Sequence, residues 1–207
     1  MLESPFNGQV ILLTGIPAVG KSTVANEVAR RVRRLTVVHF GTLIQGSIRN
    51  LLRKRVKEYQ LRGGVSTFVT PEVLDEARQD LINVLWAKRK EMHVLLDSHA
   101  VSRVAYGFRS TPDAPGYLQN LDLDLVIQLY AAPNVVEQRR QRHPDGRPSS
   151  VENDMTRYEF LQAAVSTFYA ATSSCPLCFV DASGRLKDVV ARVIESIAEI
   201  GIKHWRT

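Results

Sequence analysis

The sequence predicts a three-layer α/β/α domain with a five-stranded parallel sheet in its middle layer. Short apolar runs alternate with segments of helical periodicity, and a chain of 207 residues suits one domain with its own core. Strands that alternate with helices favour a parallel sheet covered on both faces. The five predicted strands are residues 10–13, 35–40, 93–96, 123–130 and 177–180.

The predicted helices fill the intervals between these strands. Pro71 suits the first turn of a helix that Thr70 caps, and another helix begins after Pro133. Aromatic residues at helical spacing, namely Phe160, Phe168 and Tyr169, are expected in the core. The helices are predicted at residues 22–34, 41–62, 71–90, 133–142, 151–173 and 186–197, and the Pro-, Gly- and Ser-rich residues 98–120 are predicted to be a loop.

Composition indicates an ordinary soluble chain with an affinity for anions. Hydrophobic residues make up 44% and charged residues 23%, and the net charge is +6, which attracts phosphates of any kind. Because residues 1–8 lack the features of a signal peptide and no apolar run is long enough to span a bilayer, we expect a cytoplasmic protein without membrane contact. Cys175 and Cys178 suit two ordinary thiols, with a redox pair as the alternative.

One glycine-rich turn carries the clearest chemical signal. Residues 15–22 fit the pattern Gly-x-x-x-x-Gly-Lys-Ser between a predicted strand and a predicted helix, which a chain of this length matches by chance roughly once in a hundred. Backbone N–H groups of such a loop surround a phosphate, and the helix start faces the same anion. The residues predicted to bind the nucleotide are Gly15, Pro17, Ala18, Val19, Gly20, Lys21, Ser22 and, at the α-phosphate, Thr23.

Two oxygen-bearing side chains are predicted to bind Mg²⁺. The Ser22 hydroxyl is the loop's ligand, and Asp97 follows a predicted buried strand. The carboxyl ends of parallel strands face the ligand crevice, so Asp97 is expected beside the loop. The alternative for Asp97 is a turn residue that caps a helix.

These motifs together resemble a nucleoside monophosphate kinase, and in particular the archaeal-type adenylate kinases. The resemblance extends over nearly the whole chain and implies a P-loop kinase fold. Its marks are residues 14–22, His39-Phe40-Gly41-Thr42, Leu96-Asp97-Ser98-His99, Pro115-Gly116-Tyr117-Leu118, Arg139-Arg140 and Arg147.

The resemblance implies phosphoryl transfer from MgATP to a nucleoside monophosphate, with AMP as the default acceptor. It also implies a core (residues 8–41, 91–140 and 151–207), a helical acceptor-binding region (42–90) and a short lid (141–150) within one domain. Gly41 and Thr42 would begin the acceptor site, with His99 beside it. The chain departs from the family in a longer loop after Asp97 and in a strongly basic segment at residues 49–64, which leaves the acceptor's identity open.

Arginines are the natural partners of a migrating phosphoryl group, because their planar fork binds phosphate oxygens in pairs. Arg139 and Arg147 are predicted to be catalytic and Arg140 to bind ATP, the alternative being a solvated basic helix end. The candidates for the acceptor's phosphate are Arg49, Arg78 and Arg103, with surface charge as the alternative.

Three functions are compatible with these residues. The first is a nucleoside monophosphate kinase, and a variant is a kinase for another small hydroxyl or phosphate compound such as a nucleoside or an antibiotic. The third is an ATP-switched assembly factor for RNA or protein, which the basic segment favours. Nucleic-acid binding is the weaker hypothesis, because no aromatic stacking platform is interleaved with the basic residues.

The turn at residues 181–184 follows the fifth predicted strand. Its backbone groups either bind the base of the nucleotide or form an ordinary connection from strand to helix.

Overall fold

The protein is a three-layer α/β/α domain, as predicted. The computed structural model describes residues 6–57, 60–61, 68–104, 107–110, 116–142 and 152–203. Within these ranges the strands are β1 (Val10–Thr14), β2 (Leu35–His39), β3 (His93–Asp97), β4 (Val101–Val104), β5 (Gly107–Ser110), β6 (Leu125–Tyr130) and β7 (Leu177–Asp181). The helices are α1 (Lys21–Ala29), α2 (Phe40–Leu52), α3 (Pro71–Lys88), α4 (Tyr117–Leu121), α5 (Pro133–Arg142), α6 (Glu152–Ser173) and α7 (Leu186–Glu199).

The central sheet contains five parallel strands in the order β2-β3-β1-β6-β7, which confirms the predicted strand count and direction. The chain moves from β1 outward to β2 and back to β3, and then crosses to β6 and β7 on the other side. This reversal makes the carboxyl end of β1 the topological switch point, where ligands of open α/β sheets bind.

Two apolar layers hold the helices on the sheet. One face of β1 buries Ile11 and Leu13 against α1 and α7, and the other face buries Val10 and Leu12 against α3, α4 and the second half of α6. Strands that are buried on both faces need continuous apolar runs, which explains why β1 reads Val-Ile-Leu-Leu-Thr without alternation.

The prediction of a loop over residues 98–120 is wrong. β4 and β5 pair as an antiparallel hairpin, and α4 follows. The hairpin packs on α6, where the Tyr158 hydroxyl and the Gln162 amide both donate to the Val101 carbonyl and the Phe108 ring lies 5.0 Å from the Tyr158 ring. Each strand has only four residues, so neither makes a periodic signal in a segment rich in Pro, Gly and Ser.

Two helices end earlier than predicted. α1 ends at Ala29 instead of residue 34, and α2 ends at Leu52 instead of residue 62. Arg53 after α2 has a φ of 53°, a left-handed conformation that stops a helix. Of the rest of that predicted helix, residues 53–57 are not helical, residues 60–61 are helical, and residues 58–59 and 62 lie outside the described residues.

Two aromatic residues of α6 lie outside the core, against the prediction. Phe160 and Phe168 are exposed, while Tyr169 is buried as expected. The buried face of α6 is lined by apolar and polar side chains together, namely Met155, Tyr158, Gln162 and Ser166. Apolar periodicity therefore did not reveal the direction of the two phenylalanines, because polar residues share the buried face.

Leu95 is fully buried and Phe160 is exposed, and this difference predicts unequal effects of their substitution on stability. Leu95→Ala in the fully buried β3 should lower the free energy of unfolding by about 2–5 kcal/mol, because it removes apolar contacts and leaves a cavity. Phe160→Ala is the control and should change it by less than about 0.5 kcal/mol. Urea titration followed by circular dichroism measures both values, and equal effects would contradict the core that is described above.

Candidate active site

The turn between β1 and α1 has the backbone conformation of an anion-binding loop. Gly15 has a φ of 143°, and a Cβ atom there would lie 2.4 Å from the Leu129 carbonyl oxygen, so only glycine fits. Gly20 has a φ of 106°, and even Ala18 lies in the left-handed region with a φ of 71°. Such conformations cost about 1–3 kcal/mol for a residue other than glycine and concentrate at functional sites.

The start of α1 is open to an anion. Gly20 precedes the helix without a side-chain cap, and the first turn, Lys21 to Thr23, contains no acidic residue. By contrast, α3 is capped by Thr70, whose hydroxyl accepts a hydrogen bond from the Val73 N–H. The N–H groups at the start of α1 therefore suit a phosphate better than an internal partner.

Lys21 is held inside this turn. Its side chain is buried, and its Nζ donates to the carbonyl oxygens of Gly15 at 2.9 Å and Ile16 at 3.2 Å. These contacts place a cation next to the converging amides. Since an ammonium group has three donors on a flexible stem, it can leave the carbonyls for phosphate oxygens without a change in the backbone.

Ser22 and Asp97 meet beside the turn, as the sequence predicted for a metal-binding pair. The Ser22 hydroxyl donates to Asp97 Oδ2 at 2.6 Å, so the lone pairs of the Ser22 oxygen remain for a cation. Mg²⁺ prefers oxygen ligands and usually takes only one or two from the protein, completing its shell with phosphates and water. The pair fits that requirement, and its metal-binding role stays a prediction.

Asp97 is kept ionised by its neighbours. Burial on its own would raise the pKa of this carboxyl group. The hydrogen bond from His39, the charge of Lys21 and the hydrogen bond from Ser22 outweigh burial and hold the pKa of Asp97 below its usual value. The carboxylate is therefore negative at neutral pH and available to a cation.

His99 contacts the phosphate loop directly. Its Nδ1 lies 2.9 Å from the Gly15 carbonyl oxygen, and because a carbonyl only accepts, Nδ1 must carry the hydrogen. Gly15 thus accepts from both Lys21 and His99. The sequence predicted that His99 lies beside the acceptor. In the structure its Nδ1 contacts the phosphate loop.

A buried hydrogen-bond network, missed in the sequence, joins the loop after Asp97 to β1 and α6. The Ala100 N–H donates to Thr14 Oγ1, and that hydroxyl donates to Gln162 Oε1. Gln162 also donates to the Val101 carbonyl, so one side chain contacts both segments. The available signal was Gln162, a polar residue on the face of α6 that is directed to the core, which apolar periodicity alone does not identify.

The two neighbouring arginines of α5 lie in different surroundings. Arg139 donates from Nη1 to the Val19 carbonyl and from Nη2 to the Ala182 carbonyl, at 2.8 Å each, and so connects the phosphate loop to the turn after β7. Arg140 is buried, and its electrostatic neighbours include Glu137, Tyr158 and Arg103. Burial lowers the pKa of Arg140 below the usual arginine value. Arg147 lies outside the described residues.

The predicted acceptor residues lie on several separate elements. Gly41 and Thr42 are exposed at the start of α2, directly after the carboxyl end of β2. Arg49 is exposed in the last turn of α2, roughly 12 Å further along the axis. Arg103 is exposed on the hairpin.

Arg78 is the buried member of the predicted acceptor set. Its Nη1 donates to Asp75 at 2.8 Å, and its guanidinium carbon lies 5.6 Å from the centre of the Tyr117 ring. These contacts fix its side chain within the core between α3 and α4. Its role towards a phosphate stays a prediction.

A protein-family model described as an AAA domain matches residues 14–156, more than half of the chain. The chain belongs to this family. The match begins at the last residue of β1 and contains the phosphate loop, Asp97 and the arginines of α5.

The proteins that this AAA-domain chain resembles include kinases of small molecules. The adenylate kinase of Thermococcus kodakarensis is 26% identical over 178 residues, which cover 83% of this chain and 85% of the relative. The solved structure of shikimate kinase from Bacteroides thetaiotaomicron has a TM-score of 0.54 at 14% identity and covers 92% of this chain and 98% of its own. The tunicamycin resistance protein of Deinococcus radiodurans has a TM-score of 0.60 at 16% identity, with coverage of 97% and 99%.

These similarities confirm the P-loop kinase fold and identify an ATP-dependent phosphotransferase. The acceptor is not fixed by them, because adenylate kinase and shikimate kinase are named for different acceptors. Among the described residues, no helix is both long and apolar enough to cross a membrane.

The His99 contact predicts a split between two similar variants. In His99→Asn the amide nitrogen takes the position of Nδ1 and can still donate to the Gly15 carbonyl, whereas the amide nitrogen of His99→Gln takes the position of Nε2. We expect His99→Gln to weaken ATP binding about fivefold, the equivalent of about 1 kcal/mol for one hydrogen bond, and His99→Asn to bind as the unchanged chain does. Calorimetric titration with ATP measures both affinities. The opposite order would show that ATP binding depends on Nε2 and not on the Nδ1 contact with Gly15.

Proposed function

We propose that this chain transfers the γ-phosphoryl group of MgATP to a nucleoside monophosphate, with AMP as the default acceptor. The observation that carries the proposal is the convergence of the phosphate loop, the Ser22–Asp97 pair and the end of β2 on one edge of the sheet. The archaeal adenylate kinase relative supports the acceptor class.

The donor half of the reaction follows from the loop. The amides at the start of α1 and the Lys21 ammonium group would hold the β- and γ-phosphates, and Ser22 with Asp97 would hold Mg²⁺. Bound there, the metal ion would neutralise the charge that develops on the phosphate oxygens. Phosphoryl transfer needs little covalent chemistry from a protein, so positioning and charge account for most of the catalysis.

The two arginines of α5 suit different parts of the donor. Arg139 lies between the phosphate loop and the turn after β7, a position that favours the nucleoside end of ATP over the γ-phosphate. Arg140 is buried and has Arg103 among its electrostatic neighbours, an arrangement that suits an anion at the junction of donor and acceptor. We therefore favour Arg140 over Arg139 as the arginine that stabilises the transferred group.

The acceptor half is assigned to the β2 side of the sheet. Gly41 and Thr42 follow β2 directly, and the α2–α3 region between residues 42 and 90 would close over the acceptor. Residues 141–150 are proposed as the lid, most of which lies outside the described residues. Closure would exclude water, which otherwise competes with the acceptor for the phosphoryl group.

The β4–β5 hairpin supports a second acceptor class. The β4–β5 hairpin lies in the loop that follows Asp97, where the sequence already departs from the adenylate kinase pattern. An altered wall at this position suits a hydroxyl compound, such as a nucleoside or an antibiotic, as well as a monophosphate. The shikimate kinase and tunicamycin resistance folds agree with either acceptor class.

An assay over both acceptor classes separates the two candidates. We expect ATP consumption, coupled to ADP detection, to rise with AMP above the rate with water alone, and to rise less with the other common monophosphates. Turnover with none of the monophosphates, but with a nucleoside or another hydroxyl compound, would replace the first candidate by the second.

Loss of the Lys21 ammonium group should strongly lower turnover under either candidate. Lys21→Ala should lower kcat by a factor of about 100–1000, the effect of removing one donor to a developing charge, or about 3–4 kcal/mol. Lys88→Ala, at the exposed end of α3, is the matched control and should keep full activity. Full activity of Lys21→Ala in a steady-state assay would refute the assignment of the phosphate loop.

A further inference from the structure

A histidine to which the sequence assigned no role lies against the carboxylate of the metal-binding pair. His39 ends β2 and is in register with Asp97 on the neighbouring strand β3. Its Nδ1 lies 2.9 Å from Asp97 Oδ2, and because an ionised carboxylate only accepts, Nδ1 is the donor. The side chain is 35% exposed, so it borders the crevice instead of the core.

Within the described part of the chain, the Ser22 and His39 side chains donate to the same oxygen of Asp97. Ser22 Oγ donates to Oδ2 from the loop side, and His39 Nδ1 donates to the same Oδ2 from the β2 side. Donors from two different elements fix the rotation of the carboxyl group. The other oxygen, Oδ1, therefore points away from these two donors. The Ser22 hydrogen points at Oδ2, so it does not face a cation that binds at the Ser22 oxygen.

The contact from His39 comes from outside the metal-binding pair. Its Nδ1–H group fixes the orientation of the Asp97 carboxyl group by a hydrogen bond. Outer partners of this kind orient metal ligands, and their loss typically weakens metal binding about 10–100-fold.

We propose that His39 is a positioning residue for the Mg²⁺ of the MgATP complex and acts through Asp97. It does not contact the reacting atoms. The inference rests on the proposed use of MgATP and goes beyond it, because it assigns a role to a residue outside the phosphate loop and outside the acceptor set.

The chain allows a matched set of substitutions. The amide nitrogen of His39→Asn takes the position of Nδ1 and keeps the hydrogen bond to Asp97. The amide nitrogen of His39→Gln takes the position of Nε2 and loses that bond, and His39→Ala removes the donor altogether. The half-exposed position makes all three substitutions compatible with folding, which thermal melting checks.

Calorimetric titration with a non-hydrolysable ATP analogue tests the inference on the full chain. In EDTA we expect the unchanged chain and the three variants to bind the analogue equally. With increasing Mg²⁺, His39→Gln and His39→Ala should need about tenfold more Mg²⁺ for half of the metal-dependent gain in affinity, and His39→Asn should follow the unchanged chain.

Other outcomes overturn the inference in distinguishable ways. Equal Mg²⁺ dependence of all four proteins would show that His39 does not position the metal site. A change confined to the KM of the acceptor, with unchanged Mg²⁺ dependence, would make His39 an acceptor contact and equally refute the inference. Failure of the unchanged chain to bind the analogue would refute the proposed function as well.

Discussion

The carbonyl oxygen of Gly15 is the point on which the rest of the site depends. It accepts hydrogen bonds from Lys21 Nζ and from His99 Nδ1, each at 2.9 Å, and so ties the start of α1 and the loop after β3 to the end of β1. A phosphate loop must turn its N–H groups inward and its carbonyls outward. Donors to this carbonyl oxygen stabilise that orientation before any nucleotide binds, which lowers the cost of ordering the loop on binding.

The sheet converts this local turn into a site. Because β2, β3 and β1 are adjacent and parallel, His39, Asp97 and the phosphate loop emerge at the same edge. Charges of opposite sign then meet within a partly buried space, where their interaction is less screened than at the surface. Asp97 stays ionised despite burial because hydrogen bonds and Lys21 compensate for its lost hydration. The fold therefore supplies the proximity, and a few side chains supply the charge.

Sequence alone predicted the parts of the fold that have apolar signals of their own. The five strands of the sheet are short apolar runs, of which β1, β3 and β6 are mostly buried, and a strand-end argument placed Asp97 beside the loop correctly. The same argument applies to His39, which also ends a strand, but it needs the strand order to bring β2 next to β3. Strand order depends on the packing of distant segments, and no local pattern records it.

The misses have a common physical cause. The hairpin is held by buried contacts from Tyr158 and Gln162 of α6 to a carbonyl of β4, and such long-range polar contacts leave no periodic trace. Phe160 and Phe168 are exposed on the same helix, whose buried face includes the polar side chains Gln162 and Ser166. Both misses concern α6, and the hairpin that it holds lies in the part of the chain that departs from the adenylate kinase pattern.

The central claim is that backbone amides of residues 15–22 bind the phosphates of ATP. Nuclear magnetic resonance of the ¹⁵N-labelled chain tests it most directly, because an amide that donates to a phosphate shifts its proton resonance downfield. We expect saturating MgATP to produce such shifts at Gly20, Lys21 and Ser22. Binding of MgATP that leaves these three amide resonances in place would contradict the account.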